Sequence, residues 1–341
     1  MATPTDTLVA PEGNEYFEGR KVHGKGYGCF AKQPISQGTR ILAEDPILAL
    51  ADSNYSRSDV EKAGAELTPE QKKVYFSLHS SHGQDPSKWP SKILDSVHPC
   101  ERKRIEDQHE GRIGKEATWL SIFQTNCMEI GRGVGVFPRA SRFNHSCNPN
   151  ACFYWNAATK KETIHAMKDI AAGEQITLSY CDMTHDKPSR AYELKHYGFV
   201  CDCPACSGDE NDETSFTHQS AIRRFRLQEL DLETQMWRVG SRPDMLLQGA
   251  QDPQFVQRLL EMAALHTVEG ERTARLASIY LDIAVICEHT GDLKMAEKVA
   301  AKAVKIKRDC QGADFPNFYR YTDVLERVKA KLGKQETEDR A

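Results

Sequence analysis

Three cysteines in six residues, Cys201-Asp202-Cys203-Pro204-Ala205-Cys206, constrain this chain more than any other stretch. Thiolates at that spacing can converge on one ion from a tight turn. Structural zinc takes four ligands in a tetrahedron, with sulfur at about 2.3 Å. The cluster supplies three, so a fourth donor must come from elsewhere. Residue type admits His185 and His196 upstream, His218 downstream, and Cys147 within Asn144-His145-Ser146-Cys147-Asn148-Pro149. Spacing leaves that choice open, with a loop of plain surface thiols as the competing reading. The other cysteines, Cys29, Cys100, Cys127, Cys152, Cys181, Cys287 and Cys310, show no ligand spacing. They read as small buried hydrophobes or incidental thiols.

The total of 11 cysteines is odd, which favours free thiols and metal ligands in a reducing compartment over a disulfide framework. Residues 1–15 read as a loose polar leader without the apolar core of a secretory signal. No stretch reaches the apolar length of a membrane span. The expected location is intracellular, nucleus or cytoplasm, and Arg102-Lys103-Arg104 is too short a basic run to choose between them. With 341 residues, 39 % hydrophobic and 28 % charged, the chain has the balance of about two soluble domains. A formal net charge of -4 gives no broad basic field for nucleic acid.

Between Tyr16 and Leu50, short β-prone runs (Arg40-Ile41-Leu42-Ala43 and Pro46-Ile47-Leu48-Ala49-Leu50) alternate with Gly24, Gly26, Gly28 and Gly38. These are strands joined by tight turns. Residues 53–116 are polar and helical. Thr68-Pro69-Glu70 is a helix start, and Val74, Leu78, Ile93 and Val97 mark two short helices. Glu101 to Glu110 reads as a solvated helix face. From Trp119 to Ser179 the pattern predicts β-structure, ending in the half-buried strand Ile176–Tyr180. An acidic linker, Gly208 to Glu213, precedes a helical stretch over 218–332. There Leu276, Ile279, Tyr280, Ile283 and Ala284, then Ala296, Val299, Ala300 and Ala303 beyond Gly291, predict a helical hairpin. It fits one tetratricopeptide-like unit and an ordinary antiparallel pair equally well. Residues 333–341 read as a polar tail.

Four motifs then come together. His23-Gly24-Lys25-Gly26-Tyr27-Gly28-Cys29-Phe30-Ala31 looks like the first motif of SET-domain methyltransferases. Arg142-Phe143-Asn144-His145-Ser146-Cys147-Asn148-Pro149-Asn150 looks like their central signature. Gly173-Glu174-Gln175-Ile176-Thr177-Leu178-Ser179-Tyr180 looks like the strand that follows it, and Cys201 to Cys206 looks like the post-SET zinc segment. All four stand in the family order. The chain resembles the SET and MYND domain proteins over about residues 16–207, and loosely to Leu332. The MYND module is missing, because Cys100 is the single cysteine between Asp52 and Glu116.

The resemblance implies an α+β fold: a SET domain of several small sheets over 16–207, with a helical insert at 53–116 and a zinc-bound post-SET segment at 197–207. A tetratricopeptide-like all-α domain would follow over 218–332. It implies protein-lysine N-methylation with S-adenosylmethionine, and assigns one structural zinc to Cys147, Cys201, Cys203 and Cys206. Lys25, Gly26, Tyr27, Asn144, His145, Tyr197 and Phe199 would hold the cofactor, with Gly28 completing the first motif. Tyr180 and Tyr197 would be catalytic. Tyr154, Trp155 and Tyr192 match no motif and read as packing aromatics. The implied partner is a protein presenting a lysine, histone or otherwise, and further proteins could dock on the helical domain. Neither nucleic acid nor membrane is expected as a partner, and the chain is expected to be a monomer. The competing functional reading is a catalytically silent SET and helical-repeat module that binds proteins.

Overall fold

The computed structural model describes residues 12–90, 93–238 and 243–338. Its β-rich body is three small sheets. β1 (Phe17–Val22) and β2 (Gly26–Ala31) form a hairpin whose turn uses Gly24 and Gly26 at φ of 71° and 69°. β3 (Arg40–Glu44) and β4 (Leu48–Leu50) follow. β5 (Cys127–Ile130), β6 (Gly133–Val136), β7 (Asn144–His145), β8 (Ala151–Asn156), β9 (Lys161–Ala166) and β10 (Gln175–Leu178) complete the body. The sheets run β1-β2-β10-β7, β3-β9-β8 and β4-β6-β5. Phe17, Phe143, Phe137, Ile164, Ile176 and Leu178 pack between them. Burying such side chains stabilises by roughly 1.5–3 kcal/mol each.

The insert carries four helices: α1 (Arg57–Ala65), α2 (Pro69–Phe76), α3 (Pro99–Ile113) and α4 (Trp119–Asn126). Thr68 caps α2 with Pro69 at its first position, as the sequence predicts. Two expectations fail here. Ile93 and Val97 lie ahead of a helix that begins only at Pro99, with His98 as its cap, and Val74 is exposed. Trp119–Asn126 is helical where β-structure was expected. At eight residues, none of them exposed, the helix is too short for its period to stand out, and only the Thr118–Ser121 capping box marks its start. The insert therefore extends ten residues beyond Glu116.

α5 (Lys187–Leu194) and α6 (Pro204–Ser207) lead out of the body. The C-terminal region stacks α7 (Phe216–Thr234), α8 (Pro243–Gly249), α9 (Phe255–Val268), α10 (Ala274–Thr290), α11 (Leu293–Gln311) and α12 (Tyr319–Glu338). The predicted hairpin is α10–α11, with Gly291 at φ 86° ending its first helix. No described helix is long and apolar enough to cross a membrane.

Both chain ends differ from expectation. Residues 333–338 continue α12, and only 339–341 of the predicted tail lie outside the described residues. Of the predicted leader, residues 1–11 lie outside the described residues. Asn14 is fastened instead: its Nδ2 donates to the Ile41 carbonyl at 2.8 Å, and its Oδ1 accepts from the Tyr16 and Phe17 amides.

Candidate active site and metal centre

β7 and β10 lie parallel, with Thr177 opposite Asn144 and Leu178 opposite His145. This pairing brings the Asn-His pair beside Tyr180, two residues past the end of β10. The His145 Nδ1 accepts from the Tyr180 amide at 3.0 Å, so its ring proton sits on Nε2. That Nε2 lies 3.2 Å from Cys147 Sγ. Burial pushes the imidazole down to about 4, which keeps it neutral in this role. Both ring nitrogens are thus engaged within the protein, and His145 offers a ligand its ring face and backbone.

A cavity of about 250 Å³ opens here. Every sequence-nominated pocket residue lines it: Lys25, Gly26, Tyr27, Asn144, His145, Tyr180, Tyr197 and Phe199. The rings of Tyr180 and Tyr197 meet at 42° with their centres 4.9 Å apart. The Tyr180 hydroxyl donates to the Phe143 carbonyl at 2.6 Å. Burial raises the phenols of both tyrosines, so both stay protonated at neutral pH. Gly28 packs behind this wall. A Cβ there would sit 2.3 Å from Gln175 Nε2 and 2.7 Å from Asn144 Nδ2, so any side chain at this position would displace both amide side chains. Lys25 reaches across the mouth to an ion pair with Asp202, joining the first motif to the cysteine loop.

Sequence reasoning missed the opposite wall. His79, Thr125, Asn126, Ser141 and Arg142 line it. Arg142 adjoins the signature and could have been nominated. Its guanidinium donates to the Ser77 carbonyl at 2.8 Å, and burial lowers its pKa. His79, Thr125 and Asn126 belong to the insert and carry no motif.

The cysteines do assemble. The sulfurs of Cys147, Cys201, Cys203 and Cys206 all lie within 4.8 Å of one another. Cys147 Sγ is 3.9 Å from Cys201 Sγ and 3.6 Å from Cys206 Sγ. A regular tetrahedron with Zn–S near 2.3 Å has edges of about 3.8 Å, so the set fits zinc. Arg190, buried, donates to Cys206 Sγ at 3.6 Å and offsets thiolate charge. The histidine alternatives are engaged elsewhere: His185 with Glu193, His196 against Trp89, and His218 Nδ1 with the Glu210 carbonyl at 2.7 Å. Cys181, read as incidental, stands with His145 and Cys147 in a second tight group. Tyr154 is a packing residue as expected, its hydroxyl accepting from the Ala274 amide at 3.1 Å, whereas Tyr192 is exposed.

The SET domain family model matches residues 26–181, the stretch that contains the first motif from Gly26 onward, the signature and Tyr180. Residues 26–181 are therefore a SET domain. Over 323 residues it is 26 % identical to histone-lysine N-methyltransferase set5 of Schizosaccharomyces pombe, covering 94 % of this chain and 86 % of the relative. Human histone-lysine N-methyltransferase SMYD3 is 36 % identical over 104 residues, 30 % of this chain and 23 % of that protein. N-lysine methyltransferase SMYD2-B of Danio rerio is 22 % identical over 265 residues, covering 76 % and 56 %. The set5 match runs through the C-terminal helices as well as the SET domain. The SMYD3 match spans less than a quarter of that protein.

Proposed function

We propose that this SET-domain protein is an S-adenosylmethionine-dependent protein-lysine N-methyltransferase. The observation that carries the reading is the cavity itself: Tyr180 and Tyr197 in ring contact on one wall, first-motif glycines at its rim, and the cysteine tetrad beside its mouth. The buried Asn144 Nδ2 has no protein partner and is a donor ready for a bound ligand. Lys25, Gly26, Tyr27, Asn144, His145, Tyr197 and Phe199 would hold the cofactor. When bound, S-adenosylmethionine supplies a methyl group on a sulfonium.

The protein's own part follows from the amine. Lysine has an unperturbed pKa of about 10.4, and only its neutral form carries a lone pair for attack. A channel walled by aromatic rings disfavours the ammonium by desolvation. The rings also tolerate the cationic methyl donor and product. The proton of Tyr180 is committed to the Phe143 carbonyl, so its oxygen lone pairs face the cavity as acceptors for the amine N–H. The phenol is an orienting acceptor, and its raised pKa makes it no base at neutral pH. Alignment in a narrow channel is the main source of rate.

Zinc at Cys147, Cys201, Cys203 and Cys206 would be structural, clamping the cysteine loop to the strand pair that carries Asn144. The α10–α11 hairpin is read as tetratricopeptide-like, a surface for protein partners. The substrate class is a protein lysine, and a histone is favoured by the names of the relatives; nucleus or cytoplasm follows as the place of action. The silent-module reading has less support, because both tyrosines and the orphaned Asn144 amide are in place.

The test is incubation of purified protein with methyl-labelled S-adenosylmethionine and either core histones or a cell lysate, with mass spectrometry of the products. Label on lysine that disappears in Tyr180→Phe supports the reading. Cofactor binding without any lysine label in either mixture would favour the silent module.

A further inference from the structure

Beside the cavity, the insert lays Trp89 across the segment that leads into Tyr197. The indole carries the Arg112 guanidinium carbon 5.0 Å from its ring centre and Lys195 Nζ at 4.4 Å, with the His196 ring at 5.2 Å. Gln84 fixes this arrangement. Its Nε2 donates to the His196 carbonyl at 3.2 Å and covers Gly198, where a Cβ would come within 3.3 Å of it. Tyr197 and Gly198 line the cavity, so the aromatic platform borders its rim.

The charge on this platform is one-sided. Among the described residues, Arg112 and Lys195 contact the Trp89 ring but have neither a carboxylate nor a side-chain hydrogen-bond partner. Arg112 Nε, Trp89 Nε1 and His196 Nδ1 are buried and unpartnered. The nearby Glu193 is taken by His185 and the Asp182 amide. Burial, with Arg112 and Lys195 adding to it, pushes His196 down to about 4, which records the same electropositive field. Leaving cations partly buried and uncompensated costs stability, and proteins carry such local violations where a ligand completes the site. The planar guanidinium fork matches a carboxylate.

We propose that Trp89, Arg112 and Lys195 dock an acidic side chain of the polypeptide whose lysine enters the cavity, and so select lysines with an acidic neighbour. This rests on the methyltransferase reading above. The test uses fluorescent lysine peptides in which each flanking position in turn carries Glu or its neutral isostere Gln. Full-length protein is assayed for methylation and, separately, for peptide binding by fluorescence anisotropy. Wild type should favour the Glu peptide about tenfold at one or two positions at low salt, with the ratio shrinking in high salt. The R112Q/K195Q pair should bring the Glu:Gln ratio towards one in both assays. A phosphoserine arm tests the chemistry of the anion: a preference for phosphoserine with indifference to Glu overturns the carboxylate assignment. Equal use of Glu and Gln by wild type, or an unchanged ratio in the double variant, overturns the platform. Binding selectivity without methylation of any peptide would instead count against the enzymatic reading and leave the platform standing.

Discussion

At the scale of single residues, the site was legible wherever a side chain belongs to a motif. Tyr180, Tyr197 and Phe199 were nominated and line one cavity, and Cys147 completes the cysteine tetrad that spacing left open. His79 and Arg142 were not nominated, because a lone histidine in a helical insert and an arginine ahead of a signature carry no spacing of their own. The sharpest residue-level prediction concerns the Tyr180 hydroxyl. Tyr180→Phe removes the proposed acceptor for the amine and the 2.6 Å donation to the Phe143 carbonyl, while the ring contact with Tyr197 remains. A loss of alignment of this kind lowers kcat by about 100-fold. Cofactor affinity, measured by calorimetry, should change little, because the rings and Asn144 stay. A parallel fall in cofactor affinity would move Tyr180 from orienting the amine to holding the cofactor.

At the scale of elements, strands and capped helices were readable and fully buried segments were not. The β1–β2 hairpin, β3 and α2 announced themselves through glycine turns, alternation and a Thr-Pro start. α4 did not, since two turns are too short a window for a helical period to show. The β3–β9 ladder holds a feature no pattern could disclose. Glu44 faces Glu162 across it, and Glu162 is fully buried with both carboxylate oxygens unpartnered. Burial first, and the Glu44 charge second, raise Glu162 to about 8. The unfolded side chain titrates near 4.3, so the folded state holds an extra proton between the two values. The resulting loss of stability is absent below about pH 4, grows as pH rises, and is complete above about pH 8. Glu162→Gln should therefore match wild type in thermal unfolding at pH 4 and exceed it at pH 8, by up to several kcal/mol on the scale of about 1.4 kcal/mol per unit. Equal melting temperatures at both pH values would mean that Glu162 finds a partner in solution.

The cysteine loop is the element on which site and stability meet. Cys203 precedes α6 and is buried within the tetrad. Cys203→Ser should lose bound zinc, measured by elemental mass spectrometry, and weaken cofactor binding in the same step, because Phe199, Cys201 and Asp202 all line the cavity. Binding of structural zinc is coupled to folding, so a strong chelator should lower the melting temperature of wild type and leave that of the variant unmoved. Purified wild-type protein without zinc would remove the clamp.

At the scale of the whole molecule, the sequence suggested two domains in series, and the structure ties them by several contacts, among them Arg40 with Asp314, Tyr154 with Ala274 and one buried arginine. Arg224 of α7 is 1 % exposed. Its Nη2 donates to the Cys147 carbonyl at 2.7 Å, its Nη1 reaches the Met183 carbonyl, and its Nε pairs with Glu269 at 3.1 Å. Arg275 adds an ion pair to Asp182, whose carboxyl it holds well below the ordinary range. None of this was readable beforehand, since an arginine in an amphipathic helix defaults to the solvent side. The helical region therefore buttresses the backbone of a residue of the cysteine tetrad, and two variants separate that role from plain stability. Arg224→Met strands Glu269 with Arg223 and Ser220 alone and removes the donor to Cys147. Glu269 keeps Arg223, so the cost is that of the lost charged hydrogen bonds, about 1.5–3 kcal/mol each. Glu269→Gln weakens the same ion pair while leaving both donations from Arg224 to the body intact. Both should unfold earlier in urea, but only Arg224→Met should also weaken cofactor binding in protein that is still folded. Equal cofactor affinity in the two variants would make the C-terminal helices a neighbour of the site rather than part of its support.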